Sequence, residues 1–276
     1  MPIFAKQLVR KMRGGAQAHL LEAADGKFYV VKFRNNPQHR RILVNEWIAS
    51  LLLKHLQVAT PEAGLIEVTP SFLEANPDVY FQSGERRIAV EPGWHFGSCF
   101  PGDPRLVAVF DFLPDSLLSQ CVNLRDYVGA LVFDKWTSNA DSRQSIFYRA
   151  RISDPRGNEL VNRAFVTQMM DNGYVFEGPH WRYGDSPIQG HYFRTQVYND
   201  VRSFDDLQPW LDRVLHFPPE VIDDARKRVP LEWIEGDESA LDDLLERLFA
   251  RRKRVMDLID AARVAKTALF PNWRGK

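Results

Sequence analysis

The stretch of sequence that decides the fold runs from residue 13 to residue 33 and reads RGGAQAHLLEAADGKFYVVKF. Its apolar residues flank Asp25-Gly26, a dipeptide that favours a tight turn between antiparallel strands. The pattern predicts a hairpin with strands over His19–Glu22 and Phe28–Phe33. Strands therefore come first in this chain.

Two glycines stand directly before the hairpin, in the run Gly14, Gly15, Ala16 and Gln17. Because glycine has no Cβ, backbone N–H groups in such a loop can approach a phosphate closely. These four residues are therefore candidates for binding a nucleotide. The alternative interpretation is a tight turn that needs a positive φ, and the glycines alone do not decide between the two.

A lysine and a glutamate that could form an ion pair follow the glycine loop. Lys32 lies in an apolar strand, and apolar residues at helical spacing predict a helix over Arg40–Leu56 that contains Glu46, 14 residues after the lysine. An ion pair between the two would keep the ammonium in polar surroundings while it faces phosphates. The alternative is an edge-strand lysine that reaches water. The glycine loop before the strand favours the functional interpretation.

The second half of the chain begins with a predicted helix over Leu124–Trp136 and a polar loop over 137–144. Strands are predicted at Ile146–Ile152 and Leu160–Met169, with a turn at 154–158 between them. Before this region, the apolar run Leu106–Phe110 reads as a buried segment that leads into a connector.

Two acidic residues flank that second strand pair. Asp141, with Asn139 beside it, precedes the first strand, and Asp171 follows the second in Asp171-Asn172-Gly173. One carboxylate can accept a proton from a hydroxyl, and the other can hold phosphate-bound Mg²⁺, which prefers oxygen ligands. Taken alone, Asp-Asn-Gly is equally typical of a plain turn.

Together the glycine loop, strand lysine, helix glutamate, loop aspartate and Asp-x-Gly occur in the order of the protein-kinase parts. We expect an α+β, two-lobed, protein-kinase-like fold. Residues 1–113 would form a small β-rich N-lobe, and residues 114–276 a larger, mainly helical C-lobe. The later helices are predicted over Phe204–Val214, Pro219–Lys227 and Ser239–Leu269, the last with a basic run at 251–254 that reads as a solvated face.

Composition narrows the class of protein. The 276 residues hold 36 Lys plus Arg and 36 Asp plus Glu, and this balance argues against a protein that coats nucleic acid or an anionic membrane. The two cysteines form no CxxC pair, so neither a disulfide framework nor a zinc site is expected. We find no signal peptide and no apolar run of membrane-spanning length, and we expect a cytoplasmic protein.

The sequence resembles the HipA family of kinases, in its short single-module form. The resemblance covers residues 11–178. It rests on Gly15-Ala16-Gln17, Val31-Lys32, Asn45-Glu46, Phe133-Asp134-x-Trp136 with Asn139-x-Asp141, and Met170-Asp171-Asn172-Gly173.

The resemblance implies a role for each matching residue. Lys32 would bind the phosphates of ATP, and Glu46 would orient it. Asp141 would be the catalytic base and Asp171 the Mg²⁺ ligand. The adenine would lie near Val109, Phe110, Asp111 and Phe112.

The sequence departs from the family in three respects. The metal-binding Asn expected five residues after the base is Ile146, so Gln144 or Asn139 would have to substitute. The loop from Lys11 to Ala18 has no hydroxyl residue for self-phosphorylation. The chain also has no room for the extra N-terminal domain of the full-length toxins.

The leading hypothesis is an ATP- and Mg²⁺-dependent kinase that acts on Ser or Thr of a protein substrate. A small-molecule or lipid kinase and a nucleotide-binding pseudokinase remain alternatives, the last because of Ile146. Family analogy also implies a toxin-antitoxin context with a small DNA-binding antitoxin-type partner. We expect no direct binding to nucleic acid or membrane.

Overall fold

The structure, a computed structural model, describes residues 2–153 and 159–274. The turn predicted at 154–158 lies outside these residues. The strands are β1 (Ile3–Lys11), β2 (His19–Ala23), β3 (Phe28–Lys32), β4 (Ala63–Val68), β5 (Tyr80–Ser83), β6 (Arg86–Ala89), β7 (Gly93–Cys99), β8 (Val109–Phe110), β9 (Gln144–Ser153) and β10 (Glu159–Met170).

Helices occupy most of the later chain. They are α1 (Arg41–Leu56), α2 (Pro70–Ala75), α3 (Asp115–Leu118), α4 (Asp126–Thr137), α5 (Trp210–Leu215), α6 (Pro219–Lys227), α7 (Leu231–Ile234), α8 (Glu238–Arg251) and α9 (Val255–Ala265). This mixture of strands and helices agrees with the predicted α+β class. None of the helices in the described ranges combines the length and the apolar character that a membrane span requires.

A closed barrel forms the N-terminal part, with the strand order β1-β2-β3-β7-β4. The predicted hairpin is confirmed, with His19 opposite Val31 in an antiparallel β2–β3 pair. β1 closes the barrel by pairing antiparallel with β2 and parallel with β4. Inward-facing Leu21, Phe33 and Ile66 are fully buried, so the barrel has its own apolar core.

The predicted helix over Arg40–Leu56 is confirmed as α1, which packs against barrel strands as well as C-terminal helices. Most of its residues are buried, and Arg40 provides no capping side chain at its N-terminus. Tertiary packing, rather than a side-chain cap at the N-terminus, therefore stabilises α1. This burial on several sides fixes the position of Glu46, which lies mid-helix.

A long hairpin of β9 and β10 sets the geometry of the later loops. Gln144, the first residue of β9, lies opposite Met170, the last residue of β10. The loop with Asp141 and the residue Asp171 therefore stand at the same end of the hairpin. The predicted strands Ile146–Ile152 and Leu160–Met169 are thus confirmed, and Gln144, expected in the preceding loop, begins the strand instead.

Several predictions about individual elements are wrong. β1, β4 and β7 were not expected, although all three are needed to close the barrel. The helices predicted over Phe204–Val214 and Ser239–Leu269 are each divided, the first around Pro209 and the second at Arg252–Arg254. The run at Leu106 was expected to be buried, yet this side chain is 84% exposed.

The basic run at 251–254 is not a uniformly solvated helix face. The Arg251 side chain is buried, and its guanidinium donates to the carbonyls of Trp136 (3.0 Å) and Lys135 (3.3 Å). It also pairs with Asp185 at 2.5 Å. Arg251 therefore joins α8 to α4, a role that a charge run in sequence does not reveal.

Candidate active site

Lys32 lies at the centre of the candidate site. Its ammonium donates to Glu46 of α1 and, at 2.7 Å, to Asp171 after β10. The lysine side chain is 12% exposed and Glu46 is buried, whereas Asp171 is about one-third exposed. The strand lysine thus contacts both the helix glutamate and the aspartate of the predicted Asp-x-Gly motif, although 139 residues separate Lys32 from Asp171.

Electrostatics keeps this cluster charged. Burial lowers the pKa of Lys32, but the nearby carboxylates of Glu46 and Asp171 outweigh it and raise the pKa above its usual value. Burial raises the pKa of Asp171, but Lys32 outweighs burial there and lowers it. At neutral pH Lys32 is therefore an ammonium and Asp171 a carboxylate.

Asp171 stands in a tight loop that is pressed against α1. Its φ is +55°, in the left-handed region. Two residues later, a Cβ at Gly173 would lie 2.7 Å from Ile42 Cγ2, so a glycine is needed for this close approach. The approach brings the Asp171 carboxylate within reach of the same lysine that Glu46 binds.

Asn45 fastens that loop to the helix. Its side-chain amide is buried and donates to the carbonyls of Gly173 (2.7 Å), Val175 (3.1 Å) and Gly178 (3.0 Å). Its carbonyl oxygen accepts from the Trp181 indole at 2.8 Å. Asn45 was noted in the sequence only as the neighbour of Glu46, and its positioning role depends on this tertiary contact.

Asp141 stands in the loop between α4 and β9. Its carboxylate accepts from the Ser142 backbone N–H (2.7 Å) and from the Gln144 side-chain amide (3.4 Å). Asn139 is buried; it donates to Asp134 at 3.0 Å and accepts from the Asp141 backbone N–H at 3.1 Å. Both polar atoms of the Asn139 side chain are therefore engaged in holding the loop.

Arg143 is a site residue that the sequence prediction missed as such. It is buried and forms a two-point contact with Asp134 of α4, with Nε at 2.9 Å from Asp134 Oδ2. Its other guanidinium nitrogen donates to Met170 O (3.1 Å) and Asn172 Oδ1 (2.7 Å). Arg143 thereby ties the Asp141 loop to the Asp171 loop. The only sequence signal was an arginine two residues after Asp141.

A cavity of about 560 Å³ opens beside these groups. Four predicted site residues line it: Val109, Asp111, Gln144 and Asp171. Its barrel wall includes Val30 and residues 10–13 and 98–101, and its opposite wall includes Ile146. Both walls thus combine apolar with polar or charged residues. The other ten predicted site residues, all of which the structure describes, do not line this cavity: Gly14, Gly15, Ala16, Gln17, Lys32, Glu46, Phe110, Phe112, Asn139 and Asp141.

The glycine loop is anchored to the β5–β6 hairpin. The Gln17 side chain donates to Gln82 O at 2.8 Å and accepts from Gln82 N at 2.7 Å. The Gln17 N–H donates to Gly14 O at 3.1 Å, which closes a turn in which Gly14 has a φ of +121°. The structure thus holds the tight turn that was the alternative interpretation. Such a turn does not conflict with backbone contacts to a phosphate.

Phe110 and Phe112 are both partly exposed near the cavity. Phe110 meets Phe165 edge-on at 6.5 Å, and the Arg194 guanidinium lies 4.9 Å from the centre of the Phe112 ring. Their side chains therefore have protein partners of their own.

The oxygen donors at this site fit a metal ion that is also bound by the phosphates of a ligand. Within residues 2–153 and 159–274, no three His, Cys, Asp or Glu residues cluster as a complete metal site. Asp171 and Gln144 both line the cavity and offer a carboxylate and an amide oxygen. Mg²⁺ is commonly bound in this manner, by one or two carboxylates plus substrate phosphates and water.

A comparison with protein families decides the identity of the chain. The model of a family described as HipA-like kinase matches residues 5–149, more than half of the sequence. The chain belongs to the HipA-like kinase family. The matched part of this HipA-like kinase contains Lys32, Glu46 and Asp141, whereas Asp171 follows it.

Solved structures similar to this HipA-like kinase include two kinases. The Golgi casein kinase, in a crystal structure with Mn/ADP bound, is 12% identical with a TM-score of 0.49, over 96% of this chain and 73% of that one. The proinflammatory kinase CtkA of Helicobacter pylori is 14% identical with a TM-score of 0.42, over 98% and 99%. These values are too low to transfer residue roles. No curated protein matched the sequence.

Proposed function

We propose that this HipA-like kinase is an ATP- and Mg²⁺-dependent phosphotransferase. The observation that carries the proposal is the Lys32 ammonium held between Glu46 and Asp171, with Asp171 on the wall of a cavity. A lysine paired with a helix glutamate next to a metal-binding aspartate is the arrangement that kinases use to hold nucleotide phosphates. Membership of the family supports the same activity.

The proposal includes two lobes with the nucleotide between them. The N-lobe would comprise residues 1–113, with the barrel and α1, and the C-lobe residues 114–276. The cavity supports this division because its walls come from the barrel on one side and from β9 and β10 on the other. Apolar Val30, Val109 and Ile146 would accept the adenine.

Each site residue has a proposed task. Lys32 and the backbone of Gly14–Gln17 would hold the phosphates, and Glu46 would keep Lys32 in place. Asp171 and Gln144 would hold Mg²⁺, which would neutralise phosphate charge. Asp141, positioned by Asn139, would orient the acceptor hydroxyl and accept its proton. Catalysis would then rest on positioning and on charge stabilisation.

We propose Ser or Thr of a protein as the acceptor, with a small molecule or a lipid as the alternative acceptor. By family analogy we also propose a small DNA-binding antitoxin-type partner, and a cytoplasmic location remains the expectation from the sequence. A nucleotide-binding pseudokinase is the second candidate function. It is favoured by one observation: Ile146, at the position where the family has a metal-binding Asn, lines the cavity with an apolar side chain.

Transfer of the γ-phosphate from labelled ATP to the protein itself, to lysate proteins and to a metabolite extract tests the proposal. We expect Mg²⁺-dependent transfer that falls about 100-fold or more in Asp141→Asn and in Asp171→Asn. The matched control is Asp243→Asn, an exposed carboxylate on α8, which should retain full activity.

The outcomes separate the candidates. Full activity in both site variants contradicts the assignment. Labelled metabolites without labelled protein identify a small-molecule kinase. Thermal stabilisation by ATP without any turnover identifies the pseudokinase.

A further inference from the structure

A second cavity, separate from the candidate active site, lies along the C-terminal half of α1. It measures about 640 Å³, within the range of small-molecule sites, and residues 57–63 and the start of α4 complete its walls. Trp47, Leu51 and Val58 give it an apolar surface. Pro61 lines both cavities, so the segment around it separates one from the other.

The charged side chains around this second cavity differ in whether they have partners within the protein. Its two carboxylates are engaged: Asp126 accepts from Ala59 N at 3.1 Å and from the Asn123 amide at 2.8 Å. Glu62 accepts from Lys27 at 3.2 Å.

The two cations at the cavity have no such partner. Lys54 and Arg228 make no ion pair and no side-chain hydrogen bond within the described chain. Both also line an adjoining cavity of about 240 Å³, which extends the opening towards α6. The opening thus combines an apolar surface with two cations that have no partner among the described residues, and the carboxylate that also lines the adjoining cavity, Asp224, lies 4.0 Å from Lys227.

We infer that this second cavity is a binding site for a small amphipathic anion. The apolar body of the ligand would pack on Trp47, Leu51 and Val58. Its carboxylate, sulfonate or phosphate group would pair with Lys54 and Arg228. Desolvating an apolar ligand supplies affinity, and the two cations select its charge.

The cavity contacts two segments that carry active-site residues. Thr60 donates to Met169 O at 3.0 Å and the Met169 N–H donates to Ala59 O at 2.7 Å, two residues before Asp171. Ser50, on the cavity wall, donates to the carbonyl of Glu46 at 2.7 Å. A ligand here would therefore also modulate phosphate transfer, a coupling that rests on the proposed function.

Titration with 8-anilinonaphthalene-1-sulfonate, a fluorescent amphipathic anion, tests the site in the full chain. Charge reversal in Lys54→Glu/Arg228→Glu should raise the dissociation constant of the probe at least tenfold. The matched control, Lys253→Glu/Lys266→Glu, makes the same charge change on exposed residues elsewhere, and should stay within twofold of wild type.

A neutral pair, Lys54→Gln/Arg228→Gln, covers the case in which charge reversal disturbs folding, which circular dichroism reveals. Unchanged affinity in a folded site variant overturns the inference, as does full displacement of the probe by ATP. Affinity that persists with saturating ATP and falls in the site variants supports it. Binding of the probe requires no phosphate transfer. A failure of the binding test can therefore be told apart from a failure of the proposed function.

Discussion

Two cations at this site, Arg143 and Lys32, are largely removed from solvent, and their charges are compensated in different ways. Arg143 is closed off from solvent, bonded at two points to Asp134 and further satisfied by Met170 O and Asn172. Lys32 instead bridges two carboxylates, and one of them, Asp171, is partly exposed and lines the cavity. The arginine cluster is complete within the protein, whereas the lysine cluster has one side open to a ligand.

The comparison separates residues that mainly stabilise the fold from residues that we propose to act in phosphate transfer. A buried charge is costly unless it is paired, so removing one partner from a closed pair leaves an uncompensated charge. An open cluster can exchange a partner for a ligand group at lower cost. We therefore expect mutations of the arginine cluster to affect folding most, and those of the lysine cluster to affect activity most.

The largest expected effect is on stability. Arg143→Met leaves Asp134 buried without its ion-pair partner and should lower the free energy of unfolding by about 3–5 kcal/mol. Urea denaturation followed by circular dichroism measures the change. Arg254→Met is the matched control, because its partner Asp185 also contacts Arg251 and Arg254 itself is 57% exposed. Equal losses of unfolding free energy in Arg143→Met and Arg254→Met would contradict the special role of the arginine cluster in folding.

The next effect is on activity. Lys32→Met should reduce phosphate transfer about 100-fold or more, since it removes the charge that we propose to hold the nucleotide phosphates. Each variant leaves one buried carboxylate without its cation, Glu46 or Asp134, but Arg143→Met also removes the donor to Met170 O and Asn172, so the loss of stability in Lys32→Met should be the smaller. Parallel kinetic and denaturation measurements give both numbers. A Lys32→Met protein that is fully active, or less stable than Arg143→Met, contradicts this expectation.

The acidic partners allow a finer comparison. Asp134→Asn should cost about 1–3 kcal/mol of stability, because the Asp134 carboxylate accepts from both Asn139 and Arg143. Glu46→Gln, with Lys32 as its one side-chain partner in the described chain, should cost less. Denaturation midpoints of the two variants at pH 7 decide the order, and the reverse order would count against the comparison.

A third buried cation, Lys135, should give an effect that depends on pH. Lys135 donates to carbonyls, including Pro187 O at 3.2 Å, and burial lowers its pKa to about 8 although Asp134 opposes this shift. The folded state then releases a proton before the unfolded state does, near pH 10.5. Stability contributed by this group should therefore rise between pH 8 and pH 10.5.

Urea denaturation of wild type and Lys135→Met across that range isolates the contribution. The unfolding free energy of wild type minus that of Lys135→Met should increase as the pH rises. A flat difference would show that Lys135 titrates normally. Lys32, whose pKa is raised instead, should show no such gain in this interval.

Local patterns were sufficient for the hairpin, for α1 and for the β9–β10 pair. Alternating and helical apolar periodicities, together with Asp25-Gly26, mark these elements within a few residues. The same patterns missed β4 and β7. In β7, glycines and polar residues interrupt the alternation, and Gly97 is needed because a Cβ there would lie 2.5 Å from Ile66. That requirement comes from a neighbouring strand.

The sequence by itself singled out Lys32, Glu46, Asp141 and Asp171 as the candidates for the chemistry, because they follow a recognisable order with turn signals around them. Only the tertiary structure decided how they are held. Arg143 and the second cavity depend on contacts between segments far apart in the chain, and no local periodicity records such contacts. Burial fixes which charges must be paired, and burial is a property of the packed fold.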